Sequence, residues 1–145
     1  MADTSMILVT EGALSLERAV RAAATSGSGC VVTYVGLIRD SSMGKAVSSV
    51  TYSDPDGTAA ARLQAIADEI RREFPIENIA IHHRIGELAV GDENLVIAVA
   101  TPHRGEGFRA VALAVDLFKE ALPTAKLETY TDGSTFSAGR PAWCR

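Results

Sequence analysis

Cysteine is nearly absent: Cys30 and Cys144 are the only two in 145 residues, and they stand too far apart to form a CxxC-type metal pair. Cys30 lies in the apolar stretch GCVVTYVG, where a thiol serves as a small hydrophobe; Cys144 is next to the C-terminus, and neither is assigned a function. Positive charge is also short, since 14 Lys and Arg against 18 Asp and Glu leave a net −4. That balance excludes broad nucleic-acid binding, which needs a basic face to displace counterions from phosphates. No apolar run approaches the roughly 20 residues needed to cross a bilayer. The opening MADTSMILVTEGAL lacks a basic n-region and an apolar run of signal-peptide length, so a cytoplasmic protein is expected. Familiar catalytic signatures are missing as well. Gly105 and Gly107 flank Glu106 without the spacing of a phosphate-binding GxxxxGK[ST] loop, and no GxSxG marks a nucleophile elbow. His82 and His83 are adjacent on an extended stretch and project to opposite faces, with no cysteine or carboxylate set beside them, so zinc is not expected.

What is present reads as one domain spanning residues 1–145, with 47% hydrophobic and 22% charged residues, close to ordinary globular usage. SMILVT is a short strand. Residues 15–27 form a helix with Ser15 as N-cap, Glu17 near its positive end and Gly27 closing it. Residues 29–40 are a long strand, 41–46 a polar loop and 47–53 a strand with one solvated face. Residues 54–74 repeat apolar side chains at helical spacing and stop before Pro75. NIAIHHRIGEL and ENLVIAVATPH are strands joined by AVGD; residues 105–122 are a third helix stopped at Pro123, and AKLETY is a last strand before a glycine-rich tail. The order β-α-β-β-α-β-β-α-β implies an α+β fold with three helices on a mainly antiparallel sheet.

Chemistry concentrates at element ends. In the third helix Phe108, Val111, Ala112, Val115 and Leu122 fall on one face, and Lys119 follows Val115 by four on that face. A lysine there either snorkels or sits in a pocket, where partial burial can make it a proton-transfer group. Lys126 returns just after Pro123. His103 and Arg104 stand where a strand enters a helix, which suits a phosphate or carboxylate, and Arg39 ends the strand VGLIRD. With Arg140 in the tail, these groups would make an anion pocket on an acidic protein if they converge, and periodicity alone leaves convergence open.

The segments YVGLIRD, HRIGELAVGDENLVIAVATPHR and DLFKEALPTAK together resemble the large, catalytic subunit of molybdopterin synthase, in an order that runs from about Gly29 onward. The resemblance implies an α/β hammerhead type of fold and a homodimer within a heterotetramer, with a small ubiquitin-like sulfur-carrier subunit at each end. It implies conversion of cyclic pyranopterin monophosphate, the small-molecule pterin substrate, to molybdopterin. Each of the two sulfurs arrives as a thiocarboxylate on a carrier's C-terminal Gly-Gly tail, with neither cofactor nor metal. Carried over by position, Lys119 and Lys126 are the catalytic lysines. Arg39, His103, Arg104, Lys126, Arg140 and Tyr34 are the substrate-binding residues, His103 and Arg104 coming from the second protomer.

Two departures stand out. PTAKLE has Ala125 where the family has tryptophan and Leu127 where it has a second basic residue, and TYSDPDG has Ser53 and Pro55 where the family commonly has glutamate and tyrosine. A looser pocket and weaker anion binding, by about 1 kcal/mol, are the expected costs. They keep two alternatives open: a divergent non-catalytic paralogue, or a module that binds a phosphorylated metabolite.

Overall fold

The computed structural model describes residues 5–138. The elements in chain order are β1 (Ile7–Thr10), α1 (Leu16–Ala23), β2 (Cys30–Leu37), β3 (Ser41–Ser42), β4 (Lys45–Ser53), α2 (Ala59–Glu73), β5 (Asn78–Arg84), β6 (Gly86–Ala89), β7 (Glu93–Thr101), α3 (Arg104–Ala121), β8 (Ala125–Tyr130) and β9 (Thr135–Ala138). They form two sheets. One runs β1-β5-β7-β2; the other runs β3-β4-β8-β9, with β6 also paired to β4. Every pairing is antiparallel among the described residues except β1 with β5, in accord with the α+β expectation.

The first sheet is covered on both faces, and strand alternation explains how. Ile79 and Ile81 of β5, with Leu95, Ile97 and Val99 of β7, meet Leu63, Ile66 and Ile70 of α2 and Ala110, Ala114 and Phe118 of α3. Ala80, Val96, Ala98 and Ala100 point the other way, against Ala19, Ala22 and Ala23 of α1. His82 and His83 obey the same alternation and point to opposite faces, as their adjacency predicts; both are wholly buried. A third cluster, Ile38, Val47, Val50, Tyr52, Leu88 and Tyr130, belongs to the second sheet.

Several boundaries differ from the sequence reading. Ser15 does cap α1, its side chain accepting from the Arg18 N–H at 3.1 Å, but the helix ends at Ala23 rather than Gly27, with Ala24 already extended. α2 starts at Ala59, because residues 54–58 make a turn in which Asp54 Oδ1 accepts from the Ala59 N–H at 3.1 Å. The polar loop contains β3, which forms a tight hairpin with β4 across Met43 and Gly44, both at positive φ. NIAIHHRIGEL is two strands, since Gly86 at φ 96° turns the chain out of the first sheet and into the second. The tail holds β9, paired with β8.

The face of α3 also needs correcting. Its buried residues are Gly107, Ala110, Val111, Ala114 and Phe118, while Phe108 is 61% exposed and Ala112 and Lys119 are exposed with it. The stripe that carries Lys119 therefore straddles the core boundary: Val111 is buried and Val115 packs against the core, while Phe108 and Ala112 face outward. Gly107 shows why the inner face is so small-residued: a Cβ there would meet Val32 Cγ2 of β2 at 2.8 Å and Thr101 Cγ2 at 2.7 Å.

Candidate functional site

The end of β2, the end of α3 and β8 converge on a cavity of about 470 Å³. Its lining includes Tyr34, Arg39, Lys119 and Lys126, so four of the residues singled out from sequence share one space. Arg39 sits two residues beyond β2, where the backbone is tied to the β6–β7 turn: the Ile38 N–H donates to Asp92 O at 3.0 Å and the Gly91 N–H to Ile38 O at 2.9 Å. Gly36 leaves room beside the Tyr34 ring, since a Cβ there would lie 2.9 Å from Asn94 Oδ1 and 3.2 Å from Tyr34 Cε1.

The two lysines are set by the link between α3 and β8. Leu122 closes the helix in the left-handed region at φ 44°, its N–H donating to Phe118 O at 3.0 Å, and buried Pro123 and Thr124 redirect the chain into β8. Lys119 leaves the last turn of α3 on its exposed side, at the cavity's edge rather than enclosed in apolar packing. Lys126 rises from the second residue of β8, directly opposite Tyr52 of β4.

Alternation along β8 places Lys126, Glu128 and Tyr130 on one face. Glu128 Oε2 lies 3.4 Å from Lys126 Nζ, while its Oε1 accepts from Tyr130 OH at 2.7 Å and from Ser42 Oγ of β3 at 2.9 Å. Burial alone would raise the Glu128 pKa; the hydrogen bonds from Tyr130 and Ser42 and the charge of Lys126 outweigh it and hold the carboxyl below its usual range. Tyr52 goes the other way, pushed up to about 12 by burial and by the nearby negative charge of Glu128. Tyr52 thus remains a neutral phenol, accepting from Asn94 Nδ2 at 3.2 Å.

Sequence reading missed Glu128, Ser42, Tyr52 and Asn94. The period-two pattern of AKLETY pairs Lys126 with Glu128 and could have found one of them; the other three depend on which strands are neighbours, which no local pattern carries.

His103 and Arg104 do not join this cavity. His103 is the N-cap of α3, with no side-chain capping bond, and both residues line a separate open cleft with Cys30 and Arg109. Cys30 pairs with Thr101 at one end of β2 and Leu37 with Glu93 at the other, so the cleft and the cavity sit at opposite ends of that strand. Arg140 lies outside the described residues. Ala125 and Leu127 do not line the cavity, nor do Ser53 and Pro55. Leu127 occupies the face of β8 opposite Lys126 and is 36% exposed.

Residues 9–121 match the family described as MoaE protein. The chain belongs to the MoaE family. It is 38% identical over 128 residues to the molybdopterin synthase catalytic subunit of Nostoc sp., covering 88% of this chain and 78% of that one. The catalytic subunit of Pyrococcus abyssi is 34% identical over 125 residues, covering 86% and 84%. Among solved structures, molybdopterin synthase from Staphylococcus aureus superposes with a TM-score of 0.86 at 28% identity, covering 94% of this chain and 98% of the other. Membership in the MoaE family makes the chain an enzyme subunit of the molybdopterin synthase kind, in molybdenum cofactor biosynthesis. No described helix is long and apolar enough to cross a membrane, and the described residues contain no group of three or more His, Cys, Asp or Glu arranged to hold a metal ion.

Proposed function

We propose that this chain converts cyclic pyranopterin monophosphate to molybdopterin, taking its two sulfurs one at a time, each from the thiocarboxylated Gly-Gly tail of a small ubiquitin-like carrier subunit that leaves as the carboxylate. The observation that carries the reading is the meeting of Arg39, Lys119 and Lys126 around one cavity on a chain of net negative charge. A small, strongly anionic substrate needs only such a local cluster. Lys126 and Arg39 hold its cyclic phosphate. Lys119, open at the cavity edge, meets the carrier's tail and moves protons as sulfur displaces oxygen at the pterin side chain. The fixed cations offset negative charge as it develops.

The site is completed by a second copy of the chain, which supplies His103 and Arg104. Two features favour this. β2 is an edge strand, and beside it Phe108, Ala112 and Val115 of α3 form an apolar face with Val32 and Tyr34. A two-fold pairing along β2 runs the two strands antiparallel and brings the His103 end of one against the Arg39 end of the other. A small carrier then docks at each distal cavity, giving a heterotetramer in the cytoplasm.

The test is turnover by the purified chain with thiocarboxylated carrier and cyclic pyranopterin monophosphate, reading molybdopterin as its oxidised fluorescent derivative. Product that disappears in Lys119→Ala supports the enzyme. A stable complex with the carrier but no product would support a non-catalytic paralogue instead.

A further inference from the structure

We infer that His83 is a positioning residue, clamping from behind the cavity the link that carries Lys119 and Lys126. The inference rests on the reading of those two lysines as one site. His83 is fully buried and does not line the cavity, so it touches no substrate. Its ring instead reaches from the first sheet to every element that aims a lysine. The ring meets Phe118, the residue before Lys119, edge-on at 5.1 Å and 84°. It meets Tyr52, the cross-strand partner of Lys126, at 5.0 Å and 81°. Its Nε2 is 2.9 Å from Oγ1 of Thr124, which lies between the two lysines in the chain.

The proton inventory gives the clamp a direction. Nδ1 is 2.8 Å from the backbone carbonyl of Asn94, and a carbonyl only accepts, so Nδ1 carries the ring proton. Nε2 then has only a lone pair to offer, and the Thr124 hydroxyl must donate to it. Both ring nitrogens are thereby satisfied, which fixes ring and hydroxyl together. Burial lowers the basicity of the imidazole, so it stays neutral and serves as an acceptor rather than as an acid or base. Neighbouring His82 is held in the opposite tautomer: its Nε2 faces Ser5 O at 3.0 Å and its Nδ1 has no hydrogen-bond partner among the described residues.

Removing the histidine risks the fold, so the test uses Thr124→Val, which keeps the shape and deletes the donor, with Thr124→Ser as rescue. Misplacement of a reacting group by about 1 Å can cost on the order of 100-fold in rate. Thr124→Val should lower kcat at least tenfold with a smaller change in KM, and Thr124→Ser should restore it, at matched unfolding midpoints. Parent-like kcat in Thr124→Val, or loss of rate only in step with loss of folded protein, would overturn the clamp. A parent that makes no product would overturn the functional reading instead. In that case ¹⁵N spectra of the histidine rings still judge the clamp: Nδ1 protonated, with an Nε2 resonance that moves in Thr124→Val, supports it, and Nε2 protonated overturns it.

Discussion

Lys126 and Glu128 occupy the same face of β8, two residues apart, with the ammonium nitrogen 3.4 Å from a carboxylate oxygen whose partner oxygen already accepts from Tyr130 and Ser42. One buried carboxylate thus ties β3 to β8 and aims a cavity lysine. Glu128→Ala leaves two hydroxyls without their acceptor, at a cost of about 1–3 kcal/mol. Urea unfolding should show it as a lowered midpoint, with Glu128→Gln losing less because an amide oxygen still accepts. An unchanged midpoint in the alanine variant would mean water replaces the carboxylate.

Lys119 contributes little to the core, being exposed on the last turn of α3. Lys119→Ala should therefore abolish turnover with an unfolding free energy within about 0.5 kcal/mol of the parent's. Full activity in that variant would reduce the residue to surface decoration. Arg39→Ala and Lys126→Ala should instead raise KM for the pterin while leaving carrier affinity, measured by calorimetry, close to the parent's.

The proposed sharing of each site between two copies predicts complementation. Lys119→Ala and Arg104→Ala homodimers should each be inactive, and mixing them with subunit exchange should recover roughly one quarter of parental activity, because half the dimers are mixed and one of their two sites is intact. No recovery from a mixture shown to exchange would place His103 and Arg104 outside the site. Phe108→Asp should shift the dimer to monomer in sedimentation without lowering helix content.

Acid should weaken the fold through its two buried histidines. Burial lowers the pKa of both His82 and His83 from the ordinary 6.5. The unfolded chain therefore binds protons that the folded chain refuses, and stability rises with pH in that window. Stability should be complete above about pH 6.5 and fall as the pH drops from there through the lower folded values. Thermal midpoints between pH 8 and 5 would show the decline, and His82→Leu should flatten part of it; a profile level down to pH 5 would contradict the assignment.

Much of this architecture was legible in the sequence because its signals are local. Ser15 caps where its hydroxyl can reach back, the Leu63, Ile66 and Ile70 spacing buries one face of α2, and the adjacent histidines point apart. Errors came where a local pattern had two solutions. Phe108, Val111, Ala112 and Val115 repeat at helical spacing, but only Val111 of these is fully buried; the inward face is turned toward Gly107, Ala110 and Ala114, where a Cβ at Gly107 would already meet Val32 Cγ2 at 2.8 Å. Gly86 could not be read as the point where one strand becomes two, because leaving a sheet depends on a partner strand distant in sequence. The cavity's lysines were found by their place at element ends, whereas Tyr52, Asn94 and Ser42 reach it only through strand neighbours.

β2 has a consequence beyond pairing. It carries the cavity at one end and the His103 cleft at the other, with Cys30 and Leu37 seven residues apart along the strand. In a two-fold assembly the strand is then a ruler of about 23 Å, set by seven steps of roughly 3.3 Å. Insertions should be tolerated in the turns, but a two-residue insertion within β2 would move the half-sites apart by about 7 Å while keeping every side chain on its proper face. Strand length, rather than any single side chain, becomes the dimension that selection has to hold constant.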